Sequence, residues 1–126
     1  MSQKFTESTQ KVLQIAQNEA IRRDHQEFLP EHILWASLQG EVGLAPLLTL
    51  AGADGKALEQ SLDRLLGQAP VVRGGNGNLY PAGNTNRLLV QAEDEAKKLG
   101  DAYVAPEHLW LAALSAKLEG TPVQRE

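Results

Sequence analysis

The sequence of 126 residues contains no cysteine and few aromatic side chains. Without cysteine, it can form neither disulfides nor thiolate metal sites. Phe, Trp and Tyr make up 5% of the residues while 42% are hydrophobic, so Leu, Ala, Val and Ile must fill the core. Because no apolar run approaches the length of about 18 residues that a membrane span needs, and no apolar signal-peptide core is present, we expect a cytoplasmic domain without a membrane partner.

Several classes of function are also poorly supported. The formal net charge of −4 argues against nucleic-acid binding, which needs a basic surface. The glycine-rich residues 73–78 lack the Gly-Lys-Ser/Thr ending of a phosphate loop. The three histidines do not have the spacing of a metal site, and no nucleophile and base form a recognisable catalytic pattern. We therefore predict no catalytic residue, metal site or cofactor in this chain.

The chain contains an internal repeat. When the sequence is shifted by 76 positions, Thr9–Leu38 lies over Thr85–Leu114 without a gap, and the Pro-Glu-His of Pro30–His32 lies over that of Pro106–His108. A gapless match of this kind indicates a duplicated unit. We expect the two copies to pack about a pseudo-twofold axis, with a groove or seam between equivalent faces.

Hydrophobic periodicity predicts an all-α domain. Copy one is expected at about 6–67, a connector with an extended stretch at 69–72 occupies 68–83, and a partial copy two occupies about 84–118. The predicted helices span about 6–24, 30–39, 44–51, 54–66 and 86–99, and the last opens at Pro106. The expected N-caps are Thr6 or Ser8 for the first helix, Asp54 for the fourth, and Asn84 or Thr85 for the fifth. The expected helix stops are Gly67 and Gly100.

The second copy is shorter than the first. Counterparts of residues 44–66 would lie beyond position 119, near the end of the sequence. We therefore expect the chain to be a fragment of a longer protein. Leu111 and Leu114 should then be exposed, which would lower stability or promote association.

The repeated Pro-Glu-His has two readings. Glu31 and Glu107 can favour the first turn of a helix beside a packed histidine, which is a structural role. Alternatively, the two carboxylates line the seam and bind a cationic or polar group of a ligand. Trp35 and Trp110, one position out of register, are expected to be core or sub-surface anchors.

The sequence resembles the N-terminal domain of the Clp/heat-shock class of AAA+ unfoldases, and within it the ClpB disaggregase branch. The residues that carry the resemblance are Phe5-Thr6-Glu7, Gln10-Lys11-Val12-Leu13, His25-Gln26, Pro30-Glu31-His32-Ile33-Leu34, Ala69-Pro70-Val71-Val72, Leu79-Tyr80, Arg87-Leu88-Leu89, Leu99-Gly100-Asp101, Tyr103-Val104 and Glu107-His108-Leu109. The resemblance implies a duplicated orthogonal helix bundle that is linked to a homo-hexameric ATPase ring. The ATPase domains, with their ATP and Mg²⁺, lie outside this chain.

In this family the domain captures unfolded or aggregated polypeptide, or an adaptor protein, for the ring. The resemblance places polypeptide or adaptor binding at Thr6, Glu31, Gln91, Glu95, Asp101, Glu107 and His108. Gln91 and Glu95 are polar where an apolar groove would prefer leucine, which favours weaker, more polar contacts.

Two other functions stay open. The ClpC branch uses the glutamates that match Glu31 and Glu107 to recognise phosphorylated arginine, so this chain could serve a protease as a receptor for an adaptor or a phosphoarginine mark. A purely structural spacer would bind nothing.

Overall fold

Five helices account for most of the residues that the structure, a computed structural model, describes. These residues are 4–39, 52, 54–72 and 79–115. The helices are α1 (Glu7–Arg22), α2 (Pro30–Ser37), α3 (Gly55–Gly67), α4 (Gly83–Lys98) and α5 (Pro106–Ser115). The predicted helix at 44–51, the glycine-rich loop at 73–78 and the end of copy two at 116–118 lie outside the described residues.

The predicted start signals are confirmed in the first copy and wrong in the second. The Thr6 hydroxyl accepts the Thr9 N–H at 3.1 Å, and the Asp54 carboxylate accepts the Ala57 N–H at 3.1 Å. Helix α4, however, begins at Gly83 with Ala82 as its N-cap. Thr85 does not cap this helix because it is the third helical residue, and its hydroxyl donates to the Phe28 carbonyl.

The predicted stop signals show the reverse pattern: the one in the second copy is confirmed and the one in the first copy is wrong. Gly100 has a φ of 78° directly after the C-cap residue Leu99, as expected of a left-handed residue that ends a helix. Gly67 is instead the last helical residue of α3, and Gln68 is the C-cap. The stop predicted at Gly67 is therefore one residue too early.

Short parallel pairings join the two copies. Strand β1 (Glu27–Phe28) pairs in parallel with β2 (Tyr80–Pro81), so that Phe28 lies opposite Pro81. A second bridge pairs Phe5 with Val104. Because Val104 is the counterpart of Phe28, and Pro81 that of Phe5, the two pairings are one contact repeated with the copies exchanged. This exchange is the predicted pseudo-twofold relationship.

The core lies between the copies. Helix α1 packs against α2 and α4 against α5, while α1 also contacts α5 and α2 contacts α4. Trp110 is 5% exposed, and its Nε1 donates to the Ser37 hydroxyl at 2.7 Å. Ser37 in turn donates to the Leu34 carbonyl at 2.7 Å. The indole therefore ties the second copy to α2, as expected of an anchor.

Helix α3 packs on α2 at the outer side of the first copy. Arg23 forms an ion pair with Asp63 of α3, and its guanidinium lies 5.7 Å from the centre of the Trp35 ring. The Gln39 amide donates to Glu59 of α3 at 3.3 Å. These polar contacts border an apolar interface, since Leu62 and Leu66 of α3 are almost fully buried.

None of the helices within residues 4–39, 54–72 and 79–115 combines the length and the apolar character needed to cross a bilayer.

Candidate functional site

Each Pro-Glu-His places its histidine at the N-terminus of a helix. The Nδ1 of His32 accepts the Leu29 N–H at 2.9 Å, and the Nδ1 of His108 accepts the Ala105 N–H at 2.8 Å. Each histidine side chain thus accepts a backbone N–H that has no partner within its helix, at the start of α2 or of α5. Since Nδ1 accepts, the neutral ring carries its proton on Nε2. This geometry corresponds to the structural role considered for the motif.

The partner of Nε2 differs between the copies. His32 Nε2 lies 2.8 Å from Nδ1 of His25, and His108 Nε2 lies 3.0 Å from Oδ2 of Asp101. His25 and Asp101 are themselves 76 positions apart. The duplicated scaffold therefore holds a neutral pair in copy one and a histidine–carboxylate pair in copy two.

The pair in copy one is electrostatically neutral near pH 7. Burial, together with the nearby His25 and Arg23 charges, lowers the pKa of His32 to about 4. Burial also lowers the pKa of His25. Neither ring is thus available as a cation for binding an anion at neutral pH.

Glu31 and Glu107 do not form an equivalent pair. Glu31 is 7% exposed, and burial raises the pKa of its carboxyl group, which its own backbone N–H partly opposes. It lines an open cavity of about 260 Å³ together with Glu27 and Asn84. Glu107 is exposed to solvent. Both copies therefore carry a carboxylate at this position of the repeat, but one carboxylate is buried and the other is exposed.

Four of the predicted residues gather at one end of the second copy. Thr6 donates its N–H to the Val104 carbonyl at 3.1 Å, which fixes the start of α1 beside the loop that leads into α5. Asp101 and Tyr103 lie on this loop, and their side chains are exposed by 51% and 56%. We define the Asp101 surface as Thr6, Asp101, Tyr103, Glu107 and the buried His108.

Gln91 and Glu95 lie on α4. Gln91 donates to Glu95 at 2.9 Å, and Lys98 contacts the same carboxylate at 3.5 Å. Glu95 is 8% exposed. Its carboxylate is therefore partly engaged within α4, which makes it less accessible to a ligand than the exposed carboxylates of the Asp101 surface.

Tyr103, which contributes to the family resemblance but was not among the predicted binding residues, also lies on this surface. It follows Asp101 by two positions and precedes Glu107 by four, so an aromatic ring lies between two carboxylates along the chain. An exposed aromatic residue in a loop was the available signal, but sequence alone does not separate it from a buried one. Within the described residues, no cluster of three or more His, Asp or Glu side chains could hold a metal ion.

Comparison with known proteins places the chain in a family. Residues 4–121 match the model of the Clp repeat (R) N-terminal domain. The chaperone protein ClpB of Nitratidesulfovibrio vulgaris is 40% identical over 115 residues, which cover 88% of this chain and 13% of that protein. ClpB of Rhizobium meliloti is 37% identical over 111 residues, with coverage of 87% and 13%. The chain thus spans about an eighth of the length of these relatives.

Solved structures have the same fold. The N-terminal domain of Hsp104 from Candida albicans superposes with a TM-score of 0.80 at 24% identity, over 91% of this chain and 76% of that one. The N-terminal domain of the ClpV1 ATPase from E. coli gives a TM-score of 0.78 at 27% identity, over 97% and 75%. A ClpV N-domain in complex with a VipB peptide gives 0.74 at 22% identity, over 96% and 74%.

The family model spans both copies of the repeat, and relatives of 37–40% identity share most of this chain. The likeness to Clp N-domain structures extends over nearly all of it. The chain is a non-catalytic domain that belongs to the Clp repeat (R) N-terminal domain family.

Proposed function

We propose that this domain recognises unfolded or aggregated polypeptide for a ClpB-type disaggregase. In this proposal the domain belongs to a cytoplasmic AAA+ protein whose hexameric ATPase ring, with ATP and Mg²⁺, receives the captured client. The relatives named ClpB support the branch. The ClpV N-domain in complex with a VipB peptide supports the binding of a peptide by this fold.

The Asp101 surface is the observation that carries the proposal. It combines an exposed aromatic ring at Tyr103 with exposed carboxylates at Asp101 and Glu107. An aromatic side chain offers a large contact area to many apolar groups, and carboxylates attract basic side chains and peptide N–H groups. Such a surface suits segments that mix apolar and basic residues, without requiring one sequence.

Two hydrogen bonds hold the Asp101 surface in place. The buried His108, which is 3% exposed, is hydrogen-bonded to Asp101, and the backbone N–H of Thr6 donates to the loop that carries Tyr103. Affinity should nevertheless be low, because a small contact leaves little free energy after the client segment is ordered. Weak binding suits a module that must release its client to a pore.

The ClpC-like alternative, a receptor for phosphoarginine or for an adaptor, is favoured by one observation. Glu31 is a buried carboxylate beside an open cavity, where a compact cationic group could reach it. Because Glu31 is buried and Glu107 is exposed, the two copies do not offer equivalent binding sites for two phosphoarginine groups. We therefore place this function second.

An NMR titration of the isotopically labelled domain would test the proposal. The domain would be titrated with a permanently unfolded polypeptide and, separately, with a phosphoarginine peptide. We expect the unfolded chain to shift the signals of Thr6, Asp101, Tyr103 and Glu107. Tyr103→Ser and Glu107→Gln should each weaken the response severalfold, whereas Glu31→Gln should not.

Other outcomes contradict the proposal. Shifts at Glu31 and Glu107 with the phosphoarginine peptide alone would favour the ClpC-like receptor. An absence of shifts with both ligands would leave an adaptor-docking domain or a spacer, and would overturn client capture at the Asp101 surface.

A further inference from the structure

The two histidines of copy one form a chain of hydrogen bonds that has no place for another proton. Because Nδ1 of His32 accepts the Leu29 N–H, the ring proton of His32 lies on Nε2 and is donated to Nδ1 of His25 at 2.8 Å. A further proton on His25 would set two N–H groups against each other at this distance. A further proton on His32 would fall on Nδ1 and displace the Leu29 N–H. Neither ring can therefore become a cation without breaking a bond of the chain.

The surroundings of His25 also disfavour a positive charge on its ring. Burial, together with the charge of Arg23, lowers the pKa of His25, while the carboxylates of Glu19 and Asp24 and the backbone of α3 act in the opposite direction. Arg23 stays beside the histidine because it forms ion pairs with Glu19 and with Asp63 of α3. A protonated His25 in its present position would therefore be buried next to a cation.

Of the two rings, His25 is the one that has space to move. His25 lines an open cavity of about 240 Å³, and Glu27 and Tyr80 line the same cavity. Glu27 is exposed to solvent. His32, by contrast, is fully buried and stacked on Phe28, with the ring centres 5.9 Å apart. The cavity therefore offers His25 a position that is both more open and next to a carboxylate.

The backbone on both sides of His25 is fixed by hydrogen bonds. The Val72 N–H donates to the Asp24 carbonyl at 2.8 Å. The Tyr80 N–H donates to the Gln26 carbonyl at 2.9 Å. A move of the His25 ring into the cavity therefore requires rotation about its side-chain bonds and no change in the path of the chain.

From this geometry we infer that His25 is an acid-sensitive gate of the cavity that it lines. At neutral pH the ring lies against His32 and the cavity is open. In acid the ring takes a proton from solvent, rotates away from His32 and fills the cavity, where it pairs with the Glu27 carboxylate. The inference is independent of client capture, because it uses none of the residues of the Asp101 surface.

The direction of the pH effect follows from the two positions of the ring. In the inward position the pKa of His25 lies below its ordinary value of 6.5. The outward position, beside a carboxylate and near solvent, binds the proton more tightly. Its population therefore increases as the pH falls below 6.5.

Copy two has a different pair at the equivalent position. Asp101 takes the place of His25, and its carboxylate lies 3.0 Å from Nε2 of His108. A carboxylate attracts a protonated histidine, so acidification gives Asp101 no electrostatic reason to turn away. The second copy therefore serves as an internal control.

An NMR titration of the whole chain from neutral to acidic pH tests the gate. The histidine ring signals report protonation, and the Val72 methyl and Tyr80 ring signals report the cavity. We expect His25 to take its proton first, below pH 6.5, with the cavity signals shifting at the same midpoint. The amide signal of Leu29 should change little over that range, because His32 continues to accept its N–H.

Matched variants separate the gate from general effects of acid. His25→Gln keeps an oxygen that can accept from His32 but takes no proton, so the cavity signals should no longer respond to pH. Glu27→Gln, at an exposed position, removes the carboxylate of the outward position. It should lower the midpoint of the His25 titration by about half a pH unit, the size expected for an exposed ion pair. Glu7→Gln changes an exposed carboxylate on α1 and should leave the midpoint unchanged.

Three results would overturn the inference. One is that the signals of His25 and of Trp110 in copy two change together, because acid then unfolds the whole domain without opening a gate. Another is an equal response of the cavity signals in the parent chain and in His25→Gln. A third is an equal midpoint in the parent chain and in Glu27→Gln, since the protonated ring would then not lie beside Glu27.

Discussion

The hydroxyl of Thr85 donates a 2.6 Å hydrogen bond to the backbone carbonyl of Phe28, 57 residues earlier in the sequence. The exchanged counterpart is present too, since the hydroxyl of Thr9 donates to the Val104 carbonyl at 2.7 Å. Both threonines are fully buried. Each copy therefore uses a threonine to fix the loop that precedes the second helix of the other copy.

Replacing Thr85 with valine should lower the free energy of unfolding by about 1 kcal/mol, the usual net value of a buried hydrogen bond. The loss should be limited because the Phe28 carbonyl still accepts the Ala82 N–H at 3.1 Å. Urea denaturation measures the effect. Thr85→Ser is the matched control, because it keeps the hydroxyl and removes the methyl group. A serine variant less stable than the valine variant would contradict the importance of the bond.

Replacing Ser37 with alanine should destabilise the domain by about 1–3 kcal/mol, because it leaves the buried Nε1–H of Trp110 without its acceptor. Thermal unfolding followed by tryptophan fluorescence would measure this. Ser8→Ala, which changes an exposed serine on α1, serves as the control. Equal stability of the two variants would show that the indole finds another acceptor.

Acidification should destabilise the first copy through His32. Its pKa in the folded state is about 4, below the ordinary value of 6.5, so the unfolded chain binds more protons between these two values. Stability is therefore retained above pH 6.5 and lost as the pH falls towards 4, by on the order of 2 kcal/mol at pH 4.5. The lowered pKa of His25 acts in the same direction.

His32→Asn separates this effect from other titrating groups. The asparagine oxygen can accept the Leu29 N–H in place of Nδ1, but the side chain does not titrate. Urea denaturation at pH 7 and pH 4.5 should show a smaller loss of stability in the variant than in the parent chain. A His32 ring that titrates near pH 6.5 in NMR spectra would contradict the prediction.

Replacing Glu31 with glutamine should raise the free energy of unfolding at pH 7 by roughly 1 kcal/mol, because it removes a carboxylate that is costly to bury. The raised pKa of Glu31 means that the folded state binds its proton more tightly than the unfolded chain. In the parent chain, the stability gained from this tighter proton binding is present at low pH and is lost as the pH rises through the folded-state pKa of Glu31. This pH dependence has the opposite sign to that of His32. Glu107→Gln, at an exposed position, should change stability little. Destabilisation by Glu31→Gln would reveal a partner that needs the charge.

Much of the fold followed from the repeat, because a match of 30 positions constrains two sets of helices at once. The helix starts at Thr6 and Asp54 were predictable, since the caps act through local bonds. Thr85 was misread because its sequence context resembles a cap, while its actual partner, Phe28, is distant in the sequence. Local patterns carry no information about such a contact.

The helix-start positions of the two motif glutamates were predictable, whereas their environments were not. The Pro-Glu-His motif located Glu31 and Glu107 correctly at helix starts, but their unequal burial depends on the surrounding chain, including Asn84 near Glu31. The two-residue strands β1 and β2 were also missed, since a pairing of that length leaves no alternating pattern.

The exchanged pairings of Phe28 with Pro81 and of Phe5 with Val104 have a consequence for how the domain assembles. Neither copy contains both partners of its own pairing, so a single copy is structurally incomplete, as in a dimer that exchanges segments. The connector converts this association into an intramolecular one, whose strength is set by tether length and not by protein concentration. The pairing of the two halves is consequently independent of protein concentration.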